Sequence, residues 1–172
     1  FPVLFWIHGG GLHGGDKSKI AEVAARFVAE GSGMVSTKYR LYPEATYPTQ
    51  IEDVADAFTW VHQNIVNHGG DPQKLFVAGG SAGGHLAALI TLDEAFLKKR
   101  GLTGRAIRGA IPISGLMDVR RVGAARRMGI WGDKDSTHRI ASPLHHARKG
   151  APPLLLLHAE HETPDSRRQH QM

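Results

Sequence analysis

The chain has 172 residues, 41% hydrophobic and 22% charged, which suits one globular domain with a sizeable core. It holds no cysteine, which excludes disulfides and thiolate metal sites, and no apolar run long enough to span a bilayer. The formal charge is +5, yet the basic residues are scattered, with only Arg120, Arg121, Arg126 and Arg127 locally dense. They read as a solvated face rather than a nucleic-acid site, because no aromatic residues interleave them.

In chain order, Val3-Leu4-Phe5-Trp6-Ile7 sits in a strand predicted over residues 2–7. A helix is predicted over 18–30, with Ile20, Val23, Ala24, Phe27 and Val28 on one face and Gly31 just past its end. Residues 34–37 form a second strand. Residues 48–67 form the clearest helix, with Ile51, Val54, Phe58, Val61 and Ile65 at helical spacing and Gly69-Gly70 ending it. A third strand over 75–78 feeds a glycine turn, and the helix that follows runs to Leu97, closing on Lys98-Lys99-Arg100-Gly101. Two more strands are predicted at 107–113 and 154–158. Between them, residues 115–140 are polar and irregular, with Met117, Met128 and Trp131 as apolar anchors. Strands alternating with helices favour an α/β fold, a parallel sheet covered on both faces. No repeat or linker divides residues 1–172, which read as a single domain.

Two motifs carry chemistry. Gly79-Gly80-Ser81-Ala82-Gly83 lies between a strand and a helix, where small residues let the backbone turn sharply and hold a serine hydroxyl out. The next N–H, that of Ala82, then points at the site from a helix N-terminus. His8-Gly9-Gly10-Gly11 follows the first strand in the same way. The serine turn meets neither the dinucleotide nor the Walker pattern, so nucleotide binding is not expected.

With Lys38-Tyr39-Arg40-Leu41-Tyr42-Pro43-Glu44, Ser142-Pro143-Leu144 and the stretch from Pro152 to Glu160, these motifs make the chain resemble the α/β-hydrolase superfamily. Within it, the likeness is to the esterase/lipase branch related to hormone-sensitive lipase and the small carboxylesterases. The resemblance implies a three-layer sandwich of which about five strands, the third to the seventh of the usual eight, are present. The apolar edges of such a sheet invite self-association. It also implies a metal-free, cofactor-free serine hydrolase acting on small-molecule esters. Ser81 is then the nucleophile, Gly10, Gly11 and Ala82 form the oxyanion hole, and His8 supports the oxyanion loop. Tyr39-Arg40, Asp53 and Asp16 are carried as scaffold. Residues 115–140 fall where relatives insert a lid.

The superfamily order is serine, acid, histidine. Glu162 is the implied acid, with Glu160 its nearest rival and Asp118 a further alternative. Neither His161, adjacent to the acid, nor His170, eight positions beyond it, is spaced as the base, so the catalytic histidine is expected beyond Met172. The start at Phe1 and the stop in a polar stretch suggest part of a longer parent. His145-His146 and His158 with His161 show no metal-ligand spacing. No signal peptide precedes Phe1, which leaves the cytoplasm as a default and the compartment open. The rivals to an esterase are an arylformamidase-type amide hydrolase and an inactive scaffold that binds a ligand or a protein.

Overall fold

Val3–Ile7 (β1), Gly33–Thr37 (β2), Leu75–Gly80 (β3) and Gly109–Ile113 (β4) form one parallel sheet in the order β2-β1-β3-β4. The structure is a computed structural model and describes residues 1–161. The helices are Ala21–Ala29 (α1), Thr49–Asn64 (α2), Ala82–Leu92 (α3), Ala95–Lys98 (α4), Ala124–Trp131 (α5) and Asp135–Ile140 (α6). The chain steps from β1 out to β2, then back past β1 to β3 and on to β4. Right-handed crossovers therefore set α1 on one face of the sheet and α2 and α3 on the other.

The face under α2 and α3 holds the core. Residues paired in register share a face, so Val3, Phe5, Ile7, Leu75, Val77 and Ala110 point together, and all are buried. Phe58 of α2 meets Phe5 edge-on, with ring centroids 5.5 Å apart. Every residue of α3 is buried, which suits a helix wedged between sheet and α2. Truncating Phe5 to alanine in such packing costs about 3–5 kcal/mol. The opposite face is covered less well: Trp6 and Ile111 are half-buried, while Phe76 and Leu155 are exposed.

Three expectations are corrected here, and one apolar helix face is left open. The fifth strand is reduced to two isolated parallel bridges, Ala110 with Leu154 and Ile113 with Leu157. Both keep one register, and Leu155 and Leu157 donate N–H bonds to the carbonyls of Ala110 and Pro112. Pro112 has no N–H to return to the Leu155 carbonyl, so the ladder is interrupted between the bridges. The helix expected to reach Leu97 stops at Leu92, because extended Asp93 turns its carboxylate to accept from the Ala95 N–H at 3.0 Å. The apolar face of α1 is not buried, since β2 is the edge strand and α1 packs mainly on it; Val28 is 61% exposed. Residues 115–140 contain α5, α6 and a 3-10 turn at Val119–Arg121, anchored by buried Met117, Ile130 and Trp131, with Met128 exposed. Among the described residues no helix is long and apolar enough to cross a membrane.

Candidate active site

Ser81 sits between β3 and α3 with φ 53° and ψ −115°, outside the regions that ordinary side chains prefer. The neighbouring backbone holds it there. Its N–H donates to the Ile113 carbonyl at 2.7 Å, and its carbonyl accepts from the His85 N–H at 3.0 Å. Strain of this kind typically costs about 1–3 kcal/mol and persists only where the surroundings over-determine it. The glycines around it divide into two kinds. A Cβ on Gly79 or Gly83 would fall inside 3.0 Å of backbone oxygens, that of Ile7 among them. A Cβ on Gly80 would meet nothing within 4 Å. Close packing of the turn against the end of β1 thus requires Gly79 and Gly83, and leaves Gly80 free. The Ser81 side chain is exposed, and no described side chain hydrogen-bonds to its hydroxyl.

The loop after β1 lies beside this turn. A Cβ on Gly9 would strike the Gly80 carbonyl, which is how near the two loops run. Gly10 and Gly11 both have positive φ, 118° and 68°. The Gly10 carbonyl accepts from the N–H groups of His13 and Gly14, each at 3.1 Å, closing the loop into a tight turn. Among the described residues the N–H groups of Gly10, Gly11 and Ala82 have no acceptor. Three unengaged donors near an exposed serine are what a developing oxyanion needs.

His8 supports this loop. Its ring is buried and stacks on Tyr39 at 4.3 Å, and the Tyr39 hydroxyl donates to the His8 carbonyl at 2.9 Å. Burial pushes the Tyr39 phenol well above its ordinary range, so it stays a donor. Asp16 accepts from the Ser18 N–H at 2.9 Å and pins the far end of the loop; the Ser18 hydroxyl first, and then this N–H, hold its carboxyl below the usual range. Asp53 accepts from the Arg40 backbone and guanidinium. Burial works against the charge on Asp53, but these bonds outweigh it and hold the carboxyl low.

The sequence motifs do not mark His85 or His13 as site residues, and Arg126 reads from sequence only as part of a solvated basic cluster. His85, one turn along α3 from Ser81, is 1% exposed, and its Nδ1 lies 2.8 Å from the Leu116 carbonyl. The Trp131 ring meets it edge-on at 5.8 Å. Desolvation, then the nearby Arg126 charge, push its pKa down to about 4, while the Leu116 bond opposes the shift. His85 is thus a neutral strut between α3 and residues 115–140. His13 Nδ1 lies 2.9 Å from the Gly11 carbonyl, and Arg126 Nη2 donates to the same oxygen at 3.1 Å.

Of the candidate acids, Asp118 is buried and bound to Arg120 through both oxygens and to Ser142. The Arg120 bond holds its carboxyl below the usual range. Glu160 and His161 are exposed, while Glu162 and His170 lie outside the described residues. Among the described residues no three His, Asp or Glu side chains are placed to hold a metal ion. A concavity of about 790 Å³, lined by Glu94, Arg105, Arg108 and Pro153 among others, opens at the other end of the sheet, away from Ser81.

A parallel sheet with a strained serine turn after one strand and a glycine loop after its neighbour defines an α/β-hydrolase. Within that class the chain belongs to the BD-FAE family, whose model matches residues 1–169. It is 32% identical over 174 residues to "Esterase LipQ" of Mycobacterium tuberculosis (strain ATCC 25618 / H37Rv), an alignment covering 92% of this chain and 41% of that protein. Against "Carboxylesterase NlhH" of the same strain it is 42% identical over 90 residues, covering 52% of this chain and 28% of the relative. A solved structure, the Pyrobaculum calidifontis esterase, superposes with a TM-score of 0.81 at 27% identity, covering 98% of this chain and 61% of that one. The chain thus spans less than half the length of these curated relatives.

Proposed function

We propose that this chain carries the nucleophile and oxyanion hole of a carboxylic ester hydrolase. The observation that carries the reading is Ser81, exposed and strained, beside three N–H groups with no acceptor among the described residues. Ser81 Oγ attacks the ester carbonyl carbon and passes its proton to a histidine. The carbonyl oxygen, now negative, rests on Gly10, Gly11 and Ala82. Collapse breaks the bond to the alcohol, which leaves with the proton from the histidinium, and water then repeats the sequence on the acyl-enzyme. Each oxyanion donor is worth about 3–4 kcal/mol in such sites. The names of the esterase relatives support small-molecule esters as substrates. Glu162 is the acid that orients the base, and the base itself is a histidine outside the described residues.

A second reading, a scaffold that binds without turnover, is favoured by the Ser81 hydroxyl having no hydrogen-bonded partner among the described residues. Turnover of p-nitrophenyl acetate by the chain and its Ser81→Ala variant, with and without imidazole as a substitute base, separates the two. Turnover that needs Ser81 supports the hydrolase; equal rates for the two proteins in both conditions support the scaffold.

A further inference from the structure

The geometry points to Arg126 as a specificity-determining residue that receives a carboxylate carried by the ester close to its scissile carbonyl. The inference rests on the ester-hydrolase reading of the same site.

Arg126 is exposed on α5, and one of its terminal nitrogens donates to the Gly11 carbonyl. The guanidinium therefore stands beside Gly11, the residue whose N–H is assigned to the oxyanion, and binds the carbonyl of the next peptide unit. An arginine presents five N–H donors in a planar fork. Only the bond to Gly11 engages it among the described residues, and no described carboxylate pairs with it. Its neighbours differ. Arg120 is paired with Asp118, and Arg127 turns inward to the carbonyls of Arg120 and Val122. Of these three arginines, Arg126 alone faces the loop with donors to spare.

The helix holding it is fixed. The Ile130 carbonyl accepts from the Tyr47 N–H at 2.9 Å, and Gly129 lies against Tyr42, whose hydroxyl would be 3.2 Å from a Cβ there. Trp131 is buried against His85. The second group on the Gly11 carbonyl, His13, is another nitrogen donor rather than an acid. A planar fork held on a packed helix matches a carboxylate bidentately, which a neutral acyl chain cannot exploit.

The carboxylate can sit on the acyl side, as in a monoester of a short dicarboxylic acid, or on the leaving group. Three aryl esters separate these sources: monophenyl succinate, 4-carboxyphenyl butyrate and neutral phenyl butyrate. Binding to the Ser81→Ala chain, followed by calorimetry, needs no turnover. We expect one of the two anionic esters to bind about tenfold tighter than phenyl butyrate, the equivalent of about 1.4 kcal/mol. Ser81→Ala with Arg126→Gln closes that gap to within about twofold, Arg126→Lys keeps part of it, and added salt narrows it. Equal affinities for all three esters overturn the proposal. So does a gap that survives Arg126→Gln, or an Arg126→Gln variant, folded by circular dichroism, that weakens all three equally. Retained anion preference with no Ser81-dependent hydrolysis even when imidazole is supplied as the base would sink the esterase reading and leave the recognition standing.

Discussion

Acidification from pH 6.5 towards 5 should remove stability through one side chain, His85. Its pKa is near 6.5 when unfolded and about 4 in the fold, with desolvation the main cause. A depressed folded value means that the unfolded chain binds the extra proton. The contribution is therefore complete above pH 6.5 and is lost as pH falls towards 4. The slope is about 1.4 kcal/mol per pH unit, giving about 3 kcal/mol over the whole window and about 2 kcal/mol by pH 5. His62 is shifted the same way by partial burial and adds a smaller share. The carboxylates held low, Glu52, Asp53, Glu94 and Asp118, lose their contributions further down, as pH falls through the acid range. A His85→Asn variant isolates the term, because its amide N–H sits where Nδ1 does and can still reach the Leu116 carbonyl. At pH 7 the variant should be less stable by about 1–2 kcal/mol, for the ring lost against Trp131. Urea denaturation followed by circular dichroism at steps between pH 7 and 5 gives both profiles. The parent's stability should fall more steeply than the variant's, and the two should converge. Parallel profiles would refute the assignment of a buried neutral histidine.

Two further outcomes follow from the geometry of the site. Gly83→Ala drives a Cβ into the carbonyls of Ile7 and His8 and should cost about 1–3 kcal/mol, whereas Gly80→Ala, facing open space, should change the urea midpoint little. Tyr39→Phe removes the bond to the His8 carbonyl in a buried position and should cost about 1–2 kcal/mol. Ser81-dependent turnover should fall with it, since His8 carries the loop with Gly10 and Gly11; unchanged turnover would detach His8 from the site.

The serine turn and the glycine loop were legible because their signals are local: a run of apolar residues, then glycines at fixed places. The structure adds why, since Gly79 and Gly83 face the carbonyl at the end of β1 while Gly80 faces nothing. Where the reading fell short, the cause lies across the fold. Residues 154–157 have the apolar character of a strand, and the proline that interrupts their pairing is in β4. The stripe on α1 has helical spacing, but burial depends on how far the sheet extends past β2. From sequence Arg126 is one of a solvated cluster, and its partner, Gly11, is 115 positions away in the chain. No local pattern encodes a contact of that separation.

The most direct test of the central claim, that Ser81 is a nucleophile, is covalent labelling with a fluorophosphonate, with excess imidazole present so that the base is not limiting. Mass spectrometry of the digested protein then locates the adduct. The expected result is a single phosphonyl group on the peptide holding Ser81, absent from the Ser81→Ala protein. A folded chain left unlabelled, or labelled to the same extent after Ser81→Ala, would contradict it.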